Sequence, residues 1–250
     1  MAELYAVIGG SGLYTLDDDF QIDSAEKIKT PYGEISAELQ LGHWQGRPVV
    51  FLPRHGASHQ IPPHKINYRA NLWALKSVGV SHIIAANAVG GISPDYGPEA
   101  LGLPDQIIDY SNNREQTFFD GENDEVRHVD FSQPYDSSLR SKILQAAGST
   151  DIKLVETGTY GCTNGPRFET AAEIRKMQND GCHVIGMTGM PEAALARELD
   201  IAYASIVLVV NWCAGIDDAS ISMAEINRIL GVGVDRIRAL IQATLLEKNR

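Results

Sequence analysis

The sequence predicts an α/β fold, in which buried strands alternate with amphipathic helices along the 250 residues. The stretch 206–210 is apolar without interruption, which is typical of a strand covered on both faces in a parallel sheet. A helix opened by Pro191 precedes it and follows a short apolar strand that contains Val184 and Ile185. This strand–helix–strand unit predicts two parallel strands that end at one sheet edge, where open α/β sheets bind their ligands.

The other predicted elements follow the same alternation. Apolar runs predict strands at residues 5–8, 49–52, 80–86, 106–109 and 153–160, and a half-exposed strand at 35–41. Amphipathic stretches predict helices at residues 67–78 and 137–147, around 174–177, and at 221–230 and 234–245. Residues 95–104 are expected to form a loop, and residues 111–134 a solvated excursion or a lid. We expect one domain that spans residues 1–250.

Composition and net charge restrict the classes of function that are expected for this chain. With 21 basic and 32 acidic side chains the net charge is −11, which disfavours nucleic acid but allows a small anion at a local cationic site. No apolar run approaches the roughly 20 residues that span a bilayer, and no signal-peptide pattern is present, so we expect a cytoplasmic protein without a membrane partner. The three cysteines are isolated and predict neither disulfides nor a cysteine-ligated zinc.

A glycine-rich turn follows the first predicted strand. The segment Gly9-Gly10-Ser11-Gly12 would let backbone N–H groups approach an anion, and the Ser11 hydroxyl adds a donor. Thr15 stands where a dinucleotide fingerprint has its third glycine, and no P-loop Gly-Lys-Ser/Thr follows. A plain strand-to-loop turn explains the segment equally well.

A second candidate follows the predicted strand at residues 49–52. Arg54 offers a planar fork of donors suited to an oxyanion, and His55 is its neighbour. An ordinary surface salt bridge is the alternative for Arg54. His55, His59 and His64 make a poor metal site, because two prolines separate them and no cysteine or carboxylate cluster joins them, so we predict no metal.

Two further turns carry polar or aromatic groups. Asn87 and Ala88 leave a buried strand in a segment of small residues, which either binds an anion through its N–H groups or only turns the chain. Phe168 and Glu169 lie where a loop meets a helix, so that the ring could stack on a planar ligand and the carboxylate could face the same cavity. The structural alternatives are core packing for Phe168 and a favourable helix-dipole position for Glu169.

Together these motifs resemble the trimeric purine nucleoside phosphorylase and methylthioadenosine phosphorylase family. Six segments carry the resemblance in the family's order: GGSG at 9–12, RHG at 54–56, KINYRANLWAL at 65–75, NAVGG at 87–91, GPRFET at 165–170 and GMTGMPE at 186–192. The resemblance implies a single-domain α/β fold with a twisted mixed β-sheet, partly closed into a barrel and flanked by helices. It also implies a homotrimer that cleaves a purine nucleoside, with inorganic phosphate as co-substrate and no cofactor.

The resemblance also implies roles for individual residues. The expected phosphate-binding residues are Ser11, Arg54, His55, Asn87, Ala88 and Thr188. The expected nucleoside contacts are Phe168 against the base, Met187 beneath the ribose, and Glu169, Asn211, Trp212, Cys213 and Met223 around them. His59 matches a residue that reaches a neighbouring subunit's site.

Two positions bear on substrate choice. Glu169 and Asn211, the expected catalytic pair, resemble the residues of hypoxanthine and guanine nucleoside phosphorylases, whereas the methylthioadenosine branch has a small residue and an aspartate there. A carboxylate accepts the N1 proton of a 6-oxopurine, and an amide donates to O6 or N7. Adenine lacks that proton, so Glu169 would face an acceptor.

The other end of the nucleoside is expected to be apolar. After Asn211 the chain offers Ile221 and Met223, and no histidine that could bind a 5′-hydroxyl. Such a pocket favours a 5′-methylthio group, because a hydroxyl there would lack a partner. The expected substrate is therefore 5′-methylthioinosine. Methylthioadenosine and ordinary 6-oxopurine nucleosides are the alternatives.

Three other function classes compete with a phosphorylase. A nucleosidase would use water in place of phosphate, and the pair Arg54-His55 argues against it. An NAD-dependent oxidoreductase would need the missing glycine fingerprint and an acidic ribose ligand. A nucleoside-binding protein without catalysis would not require a phosphate site beside a purine site.

Overall fold

The computed structural model describes residues 3–16, 19–121, 126–218 and 221–247. The strands are β1 (Tyr5–Gly9), β2 (Phe20–Glu26), β3 (Leu39–Trp44), β4 (Arg47–Pro53), β5 (His82–Gly91), β6 (Leu101–Gly102), β7 (Gln106–Asp109), β8 (Leu154–Val155), β9 (Thr159–Cys162), β10 (Val184–Gly186) and β11 (Ala202–Trp212). The helices are α1 (Tyr68–Ser77), α2 (Ser137–Gly148), α3 (Ala171–Asn179), α4 (Gly189–Glu198) and α5 (Met223–Leu246).

One eleven-stranded mixed sheet joins these strands in the order β2-β3-β4-β1-β5-β10-β9-β7, and β11 pairs with β5 and β6. Its centre is parallel, because β1 runs parallel to β4 and β5, and β5 runs parallel to β11. In the described part of the chain the two ends of the order, β2 and β7, do not pair with each other. The predicted α/β fold with a mixed sheet is confirmed, with the sheet open.

Side-chain alternation along β1 divides the hydrophobic core between the two faces of the sheet. Ala6 and Ile8 belong to the cluster that contains α1 and α4, whereas Tyr5 and Val7 belong to the cluster that contains α2 and α5. Helices therefore cover the central strands on both faces. This double burial explains why those strands are continuous apolar runs in the sequence.

The direction of β10 differs from the prediction. β10 is antiparallel to β5, with Val184 opposite Gly91 and Ile185 opposite Gly90. The unit β10–α4–β11 is therefore not the parallel crossover that its pattern predicts, because a short apolar run carries no information about strand direction. The reversal brings Met187 and Thr188, which follow β10, beside the middle of β5 rather than to its end.

Two predicted helices are one. α5 runs unbroken over 24 residues, where the sequence predicts separate helices at 221–230 and 234–245. A glycine inside a helix costs about 1 kcal/mol relative to alanine, which weakens the helical signal at Gly231 and Gly233. A Cβ at Gly233 would lie 2.4 Å from Leu208 Cδ2, so this glycine lets α5 pack closely on β11. The packing of α5 on β11 therefore outweighs the low helix propensity of the two glycines.

Smaller differences concern the irregular segments. β2 was not predicted, because most of its residues are exposed, and the expected loop at 95–104 contains β6. The described parts of the excursion contain no strand or helix, but they are not merely solvated. Phe118 is buried, and Glu198 accepts hydrogen bonds from Thr117 Oγ1 and from the Phe118 amide at 2.6 and 2.7 Å. The predicted lid includes residues 122–125, which lie outside the described residues.

Candidate active site

A cavity of about 670 Å³ opens where β1, β4 and β10 end, beside the second half of β5 and the end of β11. Its volume suits a small-molecule substrate. The predicted site residues that line it are Ser11, Arg54, His55, Asn87, Ala88, Phe168, Glu169, Met187, Thr188, Asn211, Cys213 and Met223. The structure thus brings together side chains that are more than 200 residues apart in the sequence.

Trp212 is the predicted site residue that does not line this cavity. Residues alternate between the two faces of a strand, so Trp212 points away from the face that carries Asn211. Its ring lies near Gly97, where a Cβ would be 3.2 Å from Trp212 Cζ2. Trp212 contacts a cavity-lining residue through its backbone, because its carbonyl accepts a hydrogen bond of 2.6 Å from Asn211 Nδ2.

A β-bulge sets the direction of the Asn211 side chain. Along the pairing of β11 with β5, Val209 is opposite Val89 and Asn211 is opposite Gly90, which leaves Val210 as an extra residue. A bulge of this kind changes the face to which the following side chain points. Both Val210 and Asn211 consequently line the cavity.

Arg54 lies in a fully buried ion pair at one end of the cavity. Its Nε and Nη2 donate to the two carboxylate oxygens of Glu192 at 2.7 and 2.8 Å, and Nη1 donates to the Ala86 carbonyl at 3.2 Å. Burial by itself lowers the pKa of Arg54, but the charge and hydrogen bonds of Glu192 reverse this and leave its pKa raised. Guanidinium protons not used in these bonds remain for an anion.

The ion pair of Arg54 also bears on the alternative considered for this residue, an ordinary surface salt bridge. The salt bridge exists, but it is in the core rather than at the surface, since both side chains are about 1% exposed. Tyr203 donates a further hydrogen bond to Glu192 at 2.8 Å. Glu192 was missed as a functional residue, because nothing in the sequence connects it to an arginine 138 positions earlier.

His55 is held as a neutral ring. Its Nδ1 lies 2.8 Å from the Ile61 carbonyl, which can only accept, so Nδ1 carries the proton. Burial, reinforced by the charge of Arg54, lowers the pKa of His55 to about 4. The ring of His59 lies 4.5 Å from that of His55 and lines the same cavity of its own chain. Among the described residues no group of histidines, cysteines and carboxylates forms a metal site.

A buried polar chain lies beside Arg54. Thr188 Oγ1 donates to Asn87 Oδ1 at 3.0 Å, and Asn87 Nδ2 donates to Ser205 Oγ at 2.6 Å. Thr188 and Asn87 line the cavity, whereas Ser205 lies behind them in β11. Sequence reasoning missed Ser205, because one serine within an apolar strand gives no functional signal.

The other end of the cavity consists mainly of loops. Thr163 Oγ1 donates to Glu169 Oε1 at 2.7 Å, which orients the carboxylate and leaves Oε2 for another donor. Phe168 is 44% exposed at the cavity mouth, so it is not a core residue. Glu169 is two residues before the start of α3, whose N-terminus is capped by Thr170 instead. The structural alternatives for both residues are therefore disfavoured.

Arg114 ties the loops of the site together. Its Nη2 donates to the carbonyls of Thr163, Asn164 and Met187 at 3.2, 3.0 and 2.9 Å, and Nη1 donates to the Met190 carbonyl. This arginine lies in the excursion after β7 and links the loop before Glu169 to the loop after β10. An arginine in a segment without periodicity carries no sequence signal for such a role.

One cavity thus has a buried arginine and hydroxyl groups at one end and an aromatic ring, a carboxylate and an amide at the other, which are the kinds of group that a nucleoside phosphorylase requires. The profile of the Phosphorylase superfamily matches residues 4–246, and the chain belongs to this family. The predicted pentosyltransferase of the nucleoside phosphorylase type is confirmed by this match and by the relatives.

Individual relatives cover nearly the whole chain. A probable S-methyl-5′-thioinosine phosphorylase of Pseudomonas syringae pv. tomato is 47% identical over 242 residues, 97% of this chain and 98% of the relative. A 6-oxopurine nucleoside phosphorylase of Pyrococcus furiosus is 44% identical over 254 residues, 98% and 94% of the two chains. Methylthioadenosine phosphorylase from Schistosoma mansoni in complex with adenine has a TM-score of 0.92 at 30% identity, with 98% and 91% covered.

Proposed function

We propose that this protein catalyses the phosphorolysis of 5′-methylthioinosine to hypoxanthine and 5-methylthioribose 1-phosphate. The observation that carries the proposal is that Glu169 and Asn211 line the same cavity as Arg54. A purine held by the first two side chains would place its sugar toward the anion held by the third. Relatives named as S-methyl-5′-thioinosine phosphorylases support the same substrate.

The phosphate end supplies donors from largely buried side chains. Arg54 is fully buried and already fixed by Glu192, so its unused N–H groups are donors in place before phosphate binds. The turn at Ser11 and the Thr188 hydroxyl, whose proton is given to Asn87 in this structure, face the same space. Donors that are fixed before the reaction stabilise charge without reorganisation. Because Glu192 balances the charge of Arg54, hydrogen bonds rather than net charge carry most of the phosphate recognition.

The base end distinguishes oxygen from an amino group at C6. Glu169 Oε1 is occupied by Thr163, so Oε2 is the acceptor for the N1 proton of hypoxanthine. Adenine would present a lone pair there, and two acceptors would face each other. Asn211 Nδ2 gives one proton to the Trp212 carbonyl, and its second proton is available for N7 or O6.

The 5′ end of the cavity is formed mainly by the start of α5. Ile221, Met223, Ile226 and Leu230 supply apolar surface, which suits a methylthio group. Asn227 lines the same wall and could bind a 5′-hydroxyl. This residue favours a second candidate, a general 6-oxopurine nucleoside phosphorylase.

In the proposed reaction a phosphate oxygen bonds to C1′ while the C1′–N9 bond breaks and its electron pair stays on the purine. Asn211 stabilises the developing charge at N7 and O6, and Glu169 holds the ring in place. Phe168 packs against the base and Met187 lies beneath the ribose. The proton of monohydrogen phosphate balances the proton that the departing hypoxanthine gains.

The proposal includes the setting of the reaction. Phosphate is the co-substrate and no cofactor takes part. The whole chain acts as one catalytic domain within a cytoplasmic homotrimer. Within the described residues no helix is long and apolar enough to cross a membrane.

Initial rates with three nucleosides test the proposal. We expect 5′-methylthioinosine to be cleaved with a higher kcat/KM than inosine or methylthioadenosine, and only when phosphate is present. Cleavage at the same rate without phosphate would identify a nucleosidase. Inosine as the best substrate would favour the second candidate, and nucleoside binding without cleavage would contradict an enzyme.

A further inference from the structure

The polar chain behind the phosphate end contains one residue that no substrate can touch. Ser205 is fully buried in β11 and is absent from the cavity wall, whereas Asn87 and Thr188 line it. Its strand neighbours Ala204 and Ile206 are buried and apolar. A hydroxyl in such a place is costly without a hydrogen bond, and Asn87 supplies one at 2.6 Å.

The direction of the hydrogen bonds matters for an anion. Thr188 donates its proton to Asn87 Oδ1, so its oxygen presents only lone pairs to the cavity. An anion needs a donor instead. A half-turn of the Asn87 amide exchanges Oδ1 and Nδ2 and keeps both heavy-atom distances. Ser205 then donates to Asn87, Asn87 donates to Thr188, and the Thr188 proton is free for the anion.

We propose that Ser205 and Asn87 are positioning residues that convert Thr188 into a phosphate donor through this half-turn. Serine is suited to this position because a hydroxyl can accept from the amide in one state and donate to it in the other. The inference deepens the proposed function and rests on it, since it takes phosphate as the ligand of Thr188. Asn87 itself then acts mainly through Thr188.

The first test is a calorimetric titration of the protein with inorganic phosphate alone, which gives the phosphate Kd. We expect Ser205→Ala to raise the phosphate Kd severalfold. The Ser205–Asn87 hydrogen bond is lost in both states, but it is stronger in the donor chain that ends on the anion than in the phosphate-free chain. Ser205→Cys, which preserves packing and a weak donor, should give a smaller increase. Thr244→Val is the matched control, because Thr244 is a fully buried hydroxyl that donates to Leu240 within α5. We expect no change in its phosphate Kd.

Kinetics separate positioning from a general structural effect. In Ser205→Ala the KM for phosphate should rise by the same factor as the Kd, whereas kcat and the KM for the nucleoside stay unchanged. Thr188→Val should weaken phosphate binding by itself, and adding Ser205→Ala to it should have no further effect, because Ser205 acts through Thr188.

Two results would overturn the proposal that Ser205 acts on phosphate through Asn87 and Thr188. One is an unchanged phosphate Kd in Ser205→Ala. The other is a double variant in which the increases in phosphate Kd caused by Ser205→Ala and Thr188→Val multiply. Failure of the proposed function would look different. The wild-type protein would then bind phosphate, with the expected Ser205 dependence, but would not cleave any purine nucleoside in its presence.

Discussion

The two ends of the cavity are built on different principles. At the phosphate end, Arg54 and Thr188 are 0% and 6% exposed and have partners inside the core. At the nucleoside end, Phe168 and Met223 are 44% and 58% exposed and stand on a loop and on the first turn of a helix. The proposed phosphate site is therefore part of the folded core, whereas the proposed nucleoside site lies at its rim. Substitutions should separate in the same way, into effects on stability and effects on turnover or substrate choice.

The largest expected effect on stability is at Glu192. In Glu192→Leu the Arg54 guanidinium loses its partner in a fully buried site, and removal of one member of such a pair lowers the free energy of unfolding by about 3–5 kcal/mol. Urea denaturation monitored by circular dichroism measures it.

The double variant Arg54→Met/Glu192→Leu is the control for this effect. It removes both charges, so we expect it to recover most of the lost stability, but not to catalyse phosphorolysis, because the proposed phosphate ligand Arg54 is absent. Recovery of activity as well would show that Arg54 does not serve phosphate. A Glu192→Leu protein as stable as wild type would contradict the structural pairing.

The largest expected effect on turnover without a loss of stability is at Asn211. Removing its amide in Asn211→Ala should lower kcat about 10²-fold, as for other donors to a developing negative charge. The unfolding free energy should stay within about 0.5 kcal/mol, because the side chain is at the rim. Gln178→Ala, an exposed amide on α3, is the control and should leave kcat unchanged. Wild-type turnover in Asn211→Ala would exclude this role.

A smaller effect is expected in the pH dependence of stability. The pKa of His55 is about 4 in the folded chain against an ordinary value of 6.5, so between these values only the unfolded chain takes up the proton. The stabilising contribution is complete above pH 6.5 and is lost as the pH falls toward 4. Between pH 7 and pH 5 the unfolding free energy should fall roughly 1–2 kcal/mol more in wild type than in His55→Gln. Equal pH slopes would contradict a buried neutral ring.

That the residues of the proposed phosphate site lie together in one cavity could largely be predicted from the sequence. Ser11, Arg54 and His55 follow buried parallel strands, and strand ends that meet at one sheet edge bring such residues together. Thr188 also follows a buried strand, but it lies in the cavity because β10 is antiparallel to β5. Their partners could not be predicted in the same way. Glu192, Thr163 and Ser205 meet their partners only through the tertiary fold, and no local pattern connects residues that are distant in the chain.

Strand direction and helix continuity are the features of the fold that the sequence predicts least well. The short apolar run of β10 fits either direction, and only pairing with β5 makes it antiparallel. The glycines at 231 and 233 predict a break between two helices, whereas close packing on β11 stabilises α5 as one continuous helix. The outward position of Trp212 depends on a bulge at Val210, which a sequence of apolar residues does not reveal.

The most direct test of the account is the ratio of kcat/KM for 5′-methylthioinosine to that for methylthioadenosine, measured in wild type and in Glu169→Gln at saturating phosphate. We expect wild type to prefer the 6-oxopurine by at least about 10²-fold, because adenine leaves the carboxylate facing an acceptor. Glutamine can donate to N1 of adenine, so the preference should collapse or reverse in the variant. A wild-type enzyme that cleaves methylthioadenosine faster, or a ratio that Glu169→Gln leaves unchanged, would contradict the account.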